Sequence, residues 1–334
     1  MKNPKELRIV FMGTPEFAVG VLRALVESEH NVVGVVTTAD KPAGRGRQLR
    51  CSAVKDYVLS LDSPTVSENL GEGSESTERS AIKLLQPDKL RDEGFISELR
   101  SLEADLFIVV AFRMLPEIVW AMPQMGTFNL HASLLPDYRG AAPINWAIMN
   151  GDKRTGVSTF MLNHEIDCGG ILAQKECDIL ASDNVEDLYN RLMTLGEGLV
   201  LETVAGLASG ELSPKTQRED ISMRPAPKLF KETMQLVYDT ETIIETLHNK
   251  IRGLSPYPAA WANISVEGKN EITAKIFLTH IERGEVKAEQ QGVWQCDGST
   301  YLRLALKDGW LYIDEMQPQN KKRVKTVDFL RGWR

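Results

Sequence analysis

The sequence predicts an α/β fold: an N-terminal domain built on a parallel sheet with helices on its faces, followed by a small β-barrel domain. Three observations predict it. Residues 7–37 read strand, helix, strand within about 30 residues, the pattern of a βαβ unit and hence of a parallel sheet. Ala104-Asp105-Leu106-Phe107-Ile108-Val109-Val110-Ala111 is the strongest central strand in the chain. From Ala260 onward the pattern changes to short alternating runs separated by polar turns, as in a small barrel.

Composition is consistent with this. The 334 residues suffice for two domains with separate cores, and 43% hydrophobic with 25% charged residues is ordinary for a globular chain. No apolar run approaches the roughly 20 residues of a membrane span. The N-terminal residues lead directly into a strand, without the apolar region of a signal peptide. Four scattered cysteines, Cys51, Cys168, Cys177 and Cys296, show neither metal nor redox spacing. A cytoplasmic protein with reduced thiols, no metal and no membrane partner is expected.

The elements follow in order. Residues 7–13 read as a buried strand, residues 16–27 as an amphipathic helix with Phe17, Val21 and Leu25 on one face, and residues 31–37 as a second buried strand. Gly13-Thr14-Pro15-Glu16-Phe17 is not Gly-x-Gly-x-x-Gly, and no acidic residue closes the second strand, so no NAD or flavin is expected. Lys41-Pro42-Ala43-Gly44-Arg45-Gly46-Arg47 has nothing apolar to bury. It is either a mobile surface loop or one whose Lys41, Arg45 and Arg47 contact phosphates. A helix over 52–59 precedes residues 62–80, whose Ser, Glu and Gly cannot bury enough surface to order; they read as a surface insertion.

A helix over 93–100, the central strand, and a short helix over 115–121 lead to residues 126–130. Beyond lie a helix over 143–149, a strand over 155–162, a polar break at 164–170, a strand over 171–176, and a long amphipathic helix over 185–208. Residues 209–227, with four prolines or glycines and many charges, read as a linker between domains 1–208 and 228–334. The second domain opens with a helix over 240–252, carries five short strands between 260 and 316, and ends with a helix over 326–330. From Glu211 onward there are 19 basic against 17 acidic residues, and 20 against 29 in the remainder. In this less acidic tail Lys321, Lys322 and Arg323 form either a solvated turn or a local basic face.

The chemistry centres on Asn129-Leu130-His131. Two positions apart on extended chain, the amide and the imidazole project to the same side, where they can hydrogen-bond one carbonyl oxygen and carry a proton for it. Asp167 lies in a glycine-containing loop after another strand and is either a turn residue or a carboxylate that orients His131 and stabilises its charged form. Each residue also has a plain structural reading, as a turn cap or a satisfied buried histidine. Together they suit acyl transfer to an amine, and no serine nucleophile elbow competes for the role.

Asn129-Leu130-His131-Ala132-Ser133-Leu134-Leu135-Pro136 with Tyr138-Arg139-Gly140-Ala141-Ala142-Pro143-Ile144 resembles the folate-dependent formyltransferases. The likeness narrows to those acting on methionyl-tRNA through residues 11–18 and 41–47, Ala226-Pro227-Lys228-Leu229, residues 251–261 and Phe329-Leu330-Arg331-Gly332. The resemblance implies a Rossmann-like formyltransferase domain followed by an OB-like barrel that helps hold tRNA. It implies Asn129, His131 and Asp167 as the catalytic trio, and Ser133, Leu134, Leu135 and Pro136 as the folate-binding segment. It also places Lys41, Arg45 and Arg47 at the tRNA acceptor end, with Lys321, Lys322 and Arg323 as further tRNA contacts. The expected co-substrate is 10-formyltetrahydrofolate and the partner methionyl-initiator tRNA, with the enzyme a monomer. Two departures stand out: Ala111-Phe112-Arg113-Met114-Leu115-Pro116 is one residue shorter than the family's loop and carries Arg113 in place of a glycine, and residues 62–80 are inserted. The alternatives are a formyltransferase for a sugar amine, a non-catalytic OB-domain RNA-binding protein and, more distantly, a Rossmann oxidoreductase.

Overall fold

The computed structural model describes residues 3–43, 48–61, 82–218 and 223–333. The insertion at 62–80, together with Arg45 and Arg47, lies outside them. The chain divides into two compact units: residues 1–137, 156–176 and 191–223 in one, and 138–155, 177–190 and 224–334 in the other.

In chain order the elements are β1 (Ile9–Gly13), α1 (Glu16–Glu27), β2 (Val32–Val36), β3 (Lys41–Ala43), β4 (Gln48–Arg50), α2 (Ala53–Leu61), β5 (Lys83–Leu85), α3 (Glu93–Arg100), β6 (Leu106–Val110), α4 (Glu117–Trp120), β7 (Thr127–His131), α5 (Pro143–Met149), β8 (Arg154–Met161), β9 (Ile171–Asp178) and α6 (Val185–Ser209). There follow α7 (Lys231–Met234), α8 (Ile244–Leu254), β10 (Ala260–Ile264), β11 (Ile272–Arg283), β12 (Trp294–Cys296), β13 (Leu302–Leu306), β14 (Gly309–Pro318), β15 (Val324–Lys325) and α9 (Thr326–Leu330).

The first unit is organised by a sheet of order β5-β2-β1-β6-β7-β8-β9, parallel from β5 to β7 and reversed at β8. Strands β1, β2 and β6 are buried at every position, because helices cover both faces and leave no side for polar residues. Val10, Met12, Phe107 and Val109 point to the face covered by α3 and α4, where they join Phe95, Leu99, Leu115 and Val119. The chain builds outward from β1 through β2 to β5, then returns to start β6 on the other side of β1. That reversal is a topological switch point, which leaves a crevice outside the carboxyl ends of β1 and β6. Gly13 closes β1 there. A Cβ on it would come within 2.5 Å of the Ala18 Cβ and 3.1 Å of the Val110 carbonyl oxygen, so glycine serves close helix–strand packing.

Three readings from the sequence change. The head of the cationic segment, Lys41–Ala43, is a strand rather than loop: β3 and β4 pair antiparallel, with Lys41 opposite Arg50. Strand β5 was not anticipated; at three residues it is too short for a period-2 signal. The residues read as a linker are tied at both described ends. Lys215 exchanges two backbone bonds of 2.8 Å with Ile171, and Ala226 donates to the Arg139 carbonyl at 2.8 Å. A fourth difference concerns α6, which by length and composition is apolar enough to cross a membrane. Its Leu188, Leu192, Leu199, Val200 and Val204 are buried in protein, while Glu202 pairs with Lys175 at 2.5 Å.

The second unit holds the antiparallel half-barrel: order β10-β11-β14-β13-β12, with β15 on β14. Its core alternates along the strands, through Leu302, Leu304 and Leu306 on β13, and through Leu311 and Ile313 on β14. The alternation then skips to Met316, because the β11–β14 register shifts between Ile276 and Thr279. Ile244, Leu247, Ile251 and Leu254 of α8 complete this core. Gly253 lets α5 approach: its carbonyl accepts from the Asn145 side chain at 2.8 Å, and a Cβ would stand 2.7 Å from Met149 Cγ. Buried Arg252 is satisfied by the Asp183 carbonyl at 2.9 Å, the Leu180 carbonyl at 3.3 Å and Asn249 Oδ1 at 2.8 Å.

Candidate active site

Strand β7 carries the polar pair at its carboxyl end. Asn129 sits between Val109 of β6 and Phe160 of β8, and His131, the last residue of β7, lies opposite Ser158. Side chains of paired residues share a face, so Asn129 and His131 project with Val109 to the α3–α4 side of the sheet. Thr127, two residues earlier, confirms the facing by donating to the Trp120 carbonyl of α4 at 2.6 Å. His131 is 8% exposed and meets Phe160 edge-on at 6.4 Å, whereas Asn129 is half-buried. The imidazole is thus held with little water about it, where its hydrogen bonds are stronger than in bulk solvent.

Asp167 lies in the loop from β8 to β9, with φ 56°. Asp tolerates this left-handed conformation better than most residues. The loop runs along the same side of the sheet: the His164 ring meets Trp120 of α4 at 5.2 Å, and its Nε2 is 3.6 Å from Glu117. The loop is also closely fitted. Met161 N donates to the Gly170 carbonyl at 2.9 Å, and a Cβ on Gly169 would fall 1.6 Å from the Met161 carbonyl oxygen. Gln217, 6% exposed, donates its amide to the carbonyls of both Asp167 and Gly169 at 2.8 Å. Asn129 and His131 are therefore presented on one side of the sheet by β7, and the pinned loop that carries Asp167 runs along that side.

The segment after His131 is equally fixed. Ser133 Oγ donates to the Asp137 carbonyl at 2.6 Å, and Ser158 Oγ donates to the Ser133 carbonyl at 2.6 Å while accepting from Leu135 N at 3.1 Å. Gln174 adds bonds to Ser158 Oγ at 2.8 Å and to the Leu135 carbonyl at 3.0 Å. Ser133 and Leu135 are buried and shape this loop, while Leu134 and Pro136 keep partial exposure. Sequence reasoning missed Ser158, Gln174 and Gln217. The first two sit in strand positions that alternation alone explains, and Gln217 lies in what read as a linker.

Of the expected tRNA contacts, Lys41 stands exposed on β3 opposite Arg50, which is also exposed. In the second unit Arg323 pairs with Glu315 at 2.5 Å and lies over the Phe277 ring, and Lys321 lies over Phe329, while Lys322 is exposed. Among the described residues no group of three His, Cys, Asp or Glu could hold a metal ion.

A switch-point crevice, an Asn-x-His strand end and an appended half-barrel define a class, and the sequence comparisons name it. The formyl transferase model matches residues 7–204 and the formyl transferase C-terminal domain model matches residues 228–334, so the chain belongs to the formyl transferase family. Within that family its relatives are methionyl-tRNA formyltransferases. That of Bacteroides thetaiotaomicron is 48% identical over 335 residues, covering 99% of this chain and 97% of that protein. That of Flavobacterium johnsoniae is 42% identical over 328 residues, covering 98% and 96%. Among solved structures, the N-formyltransferase from Helicobacter canadensis, complexed with folinic acid and dTDP-3-aminofucose, superposes with a TM-score of 0.64. It is 17% identical and covers 93% of this chain and 99% of that one. HypX from Aquifex aeolicus in complex with tetrahydrofolic acid gives a TM-score of 0.59 at 18% identity over 97% of this chain, which spans about half (47%) of HypX. At these identities the two structures speak for the fold.

Proposed function

We propose that the chain transfers the formyl group of 10-formyltetrahydrofolate to the α-amine of methionyl-initiator tRNA, acting as a cytoplasmic monomer. The observation that carries the reading is identity of 42–48% to methionyl-tRNA formyltransferases along nearly the whole of both chains. The site chemistry is compatible. In the proposed reaction the amine attacks the formyl carbon, and the carbonyl oxygen becomes an oxyanion that the Asn129 amide N–H and protonated His131 stabilise. The C–N bond to folate then breaks, His131 passes a proton to the departing nitrogen, and the attacking amine gives up one of its own, so charge balances over the cycle. Asp167 orients His131. Leu134 and Pro136 would line the folate side, held in place by the buried Ser133 and Leu135 of the same segment. Lys41, Arg45 and Arg47 would follow the acceptor-end phosphates, and Lys321, Lys322 and Arg323 would add contacts farther along the tRNA.

Incubation with charged initiator tRNA and the formyl donor, followed by analysis of the aminoacyl product, tests the reading. Formylmethionyl-tRNA is the expected product. Its absence, with formylation of an amino sugar instead, would transfer the reading to a sugar-amine enzyme.

A further inference from the structure

Arg113 stands in the β6–α4 loop, and its guanidinium reaches across the sheet edge. Nη1 donates to the Asp88 carbonyl at 2.8 Å, and Nη2 donates to the Pro87 carbonyl. Pro87 and Asp88 follow β5, which is separated from β6 by both β2 and β1. The side chain therefore ties together two loops that leave the carboxyl edge three strands apart, one of them beside the switch point. The tie continues. Gln86 donates to the Thr38 carbonyl and to Asp40 Oδ1, both at 2.9 Å, and Asp40 pairs with Lys55 at 2.7 Å. The loop itself needs such support: Ala111 holds a positive φ of 47°, and Met114 is 73% exposed. It lies on the side of the sheet to which Asn129 and His131 project, with Leu115 in the α3–α4 core.

The geometry points to Arg113 as a positioning residue for the formyl donor, holding the β6–α4 loop as one wall of the switch-point crevice. This rests on the proposed formyl-transfer reading. A glycine at this place leaves the loop to its own devices; a fork-shaped cation that meets two successive carbonyls fixes it, which a single ammonium does less well. If the freed loop is competent to bind only about a tenth of the time, donor affinity falls about tenfold with the chemistry unchanged.

Steady-state kinetics on Arg113→Ala and Arg113→Lys, with folding checked by thermal melting, test this. The expected result is a KM for formyl donor raised about tenfold in Arg113→Ala, with kcat and the KM for methionyl-tRNA within about twofold, and partial recovery in Arg113→Lys. An unchanged donor KM in a folded variant, or a fall in kcat alone, overturns the assignment. Should Arg113→Ala not fold, Arg113→Lys carries the test through an intermediate rise in donor KM, and its absence counts against the proposal. Calorimetric titration with tetrahydrofolate separates the two ideas. An Arg113-dependent affinity in a protein that does not formylate methionyl-tRNA sinks the functional reading and leaves the positioning role; formylation with Arg113-independent affinity does the reverse.

Discussion

Replacing Gly169 by alanine measures how tightly the loop of Asp167 must be held. The new Cβ would stand 1.6 Å from the Met161 carbonyl oxygen and 2.8 Å from its carbon, where real contacts do not fall below about 3.0 Å. Both are backbone atoms of β8, so no side chain can swing away, and loop and strand must separate by about 1.4 Å. That displacement opens the bond from Met161 N to the Gly170 carbonyl and strains the two bonds that Gln217 makes to the loop. A misplacement of about 1 Å in a catalytic group can cost on the order of 100-fold in rate. We expect Gly169→Ala to lower kcat for formyl transfer about 100-fold and to destabilise the protein by roughly 1–3 kcal/mol, the usual cost of overpacking. The assay is single-turnover formylation of methionyl-tRNA beside a denaturant melt, with Gly332→Ala as control, since a Cβ there meets nothing within 4 Å. A folded Gly169→Ala protein with parental kcat would refute the claim that this loop positions the chemistry.

Other outcomes follow from the same geometry. Asp167→Asn keeps a residue that tolerates φ 56° but removes the charge, so the protein should fold as the parent while formyl transfer falls about 10²- to 10⁴-fold; parental activity would remove Asp167 from the trio. Burial pushes the Tyr138 hydroxyl up to about 12, and the negative charge of Asp152, its partner at 2.8 Å, works in the same direction. Because the folded value lies above the unfolded one, this contribution to stability is complete below pH about 10 and is lost as pH rises toward 12. Tyr138→Phe should flatten that alkaline limb in pH-dependent melting relative to the parent, and cost roughly 1–2 kcal/mol at neutral pH through the lost bond; superimposable alkaline limbs would count against it. Arg45→Ala should raise the KM for methionyl-tRNA and reduce the salt slope of binding by about one, leaving donor affinity alone; a change in donor affinity alone would reassign the cationic segment.

What the sequence determined by itself was whatever depends on neighbours along the chain. Alternation and helical period located α1, α3, α5 and α9 and the long runs of β1, β6, β11 and β14, because burial on one or both faces writes itself into local spacing. The pair Asn129 and His131 was legible for the same reason, since two positions along a strand fix a common side whatever surrounds it. The tertiary structure decided what depends on partners distant in sequence. The antiparallel pairing of β3 with β4 had no apolar alternation to betray it, its two strands being three residues each with Lys41 and Arg50 exposed. Gln217 reads as one more polar residue in a charged segment until the fold brings it to the carbonyls of Asp167 and Gly169, 50 and 48 positions away. Arg113 looked like a departure in a loop until its guanidinium met Pro87 and Asp88 across two intervening strands. Hydrogen bonds from side chain to distant backbone follow the path of the folded chain, and no local period records that path.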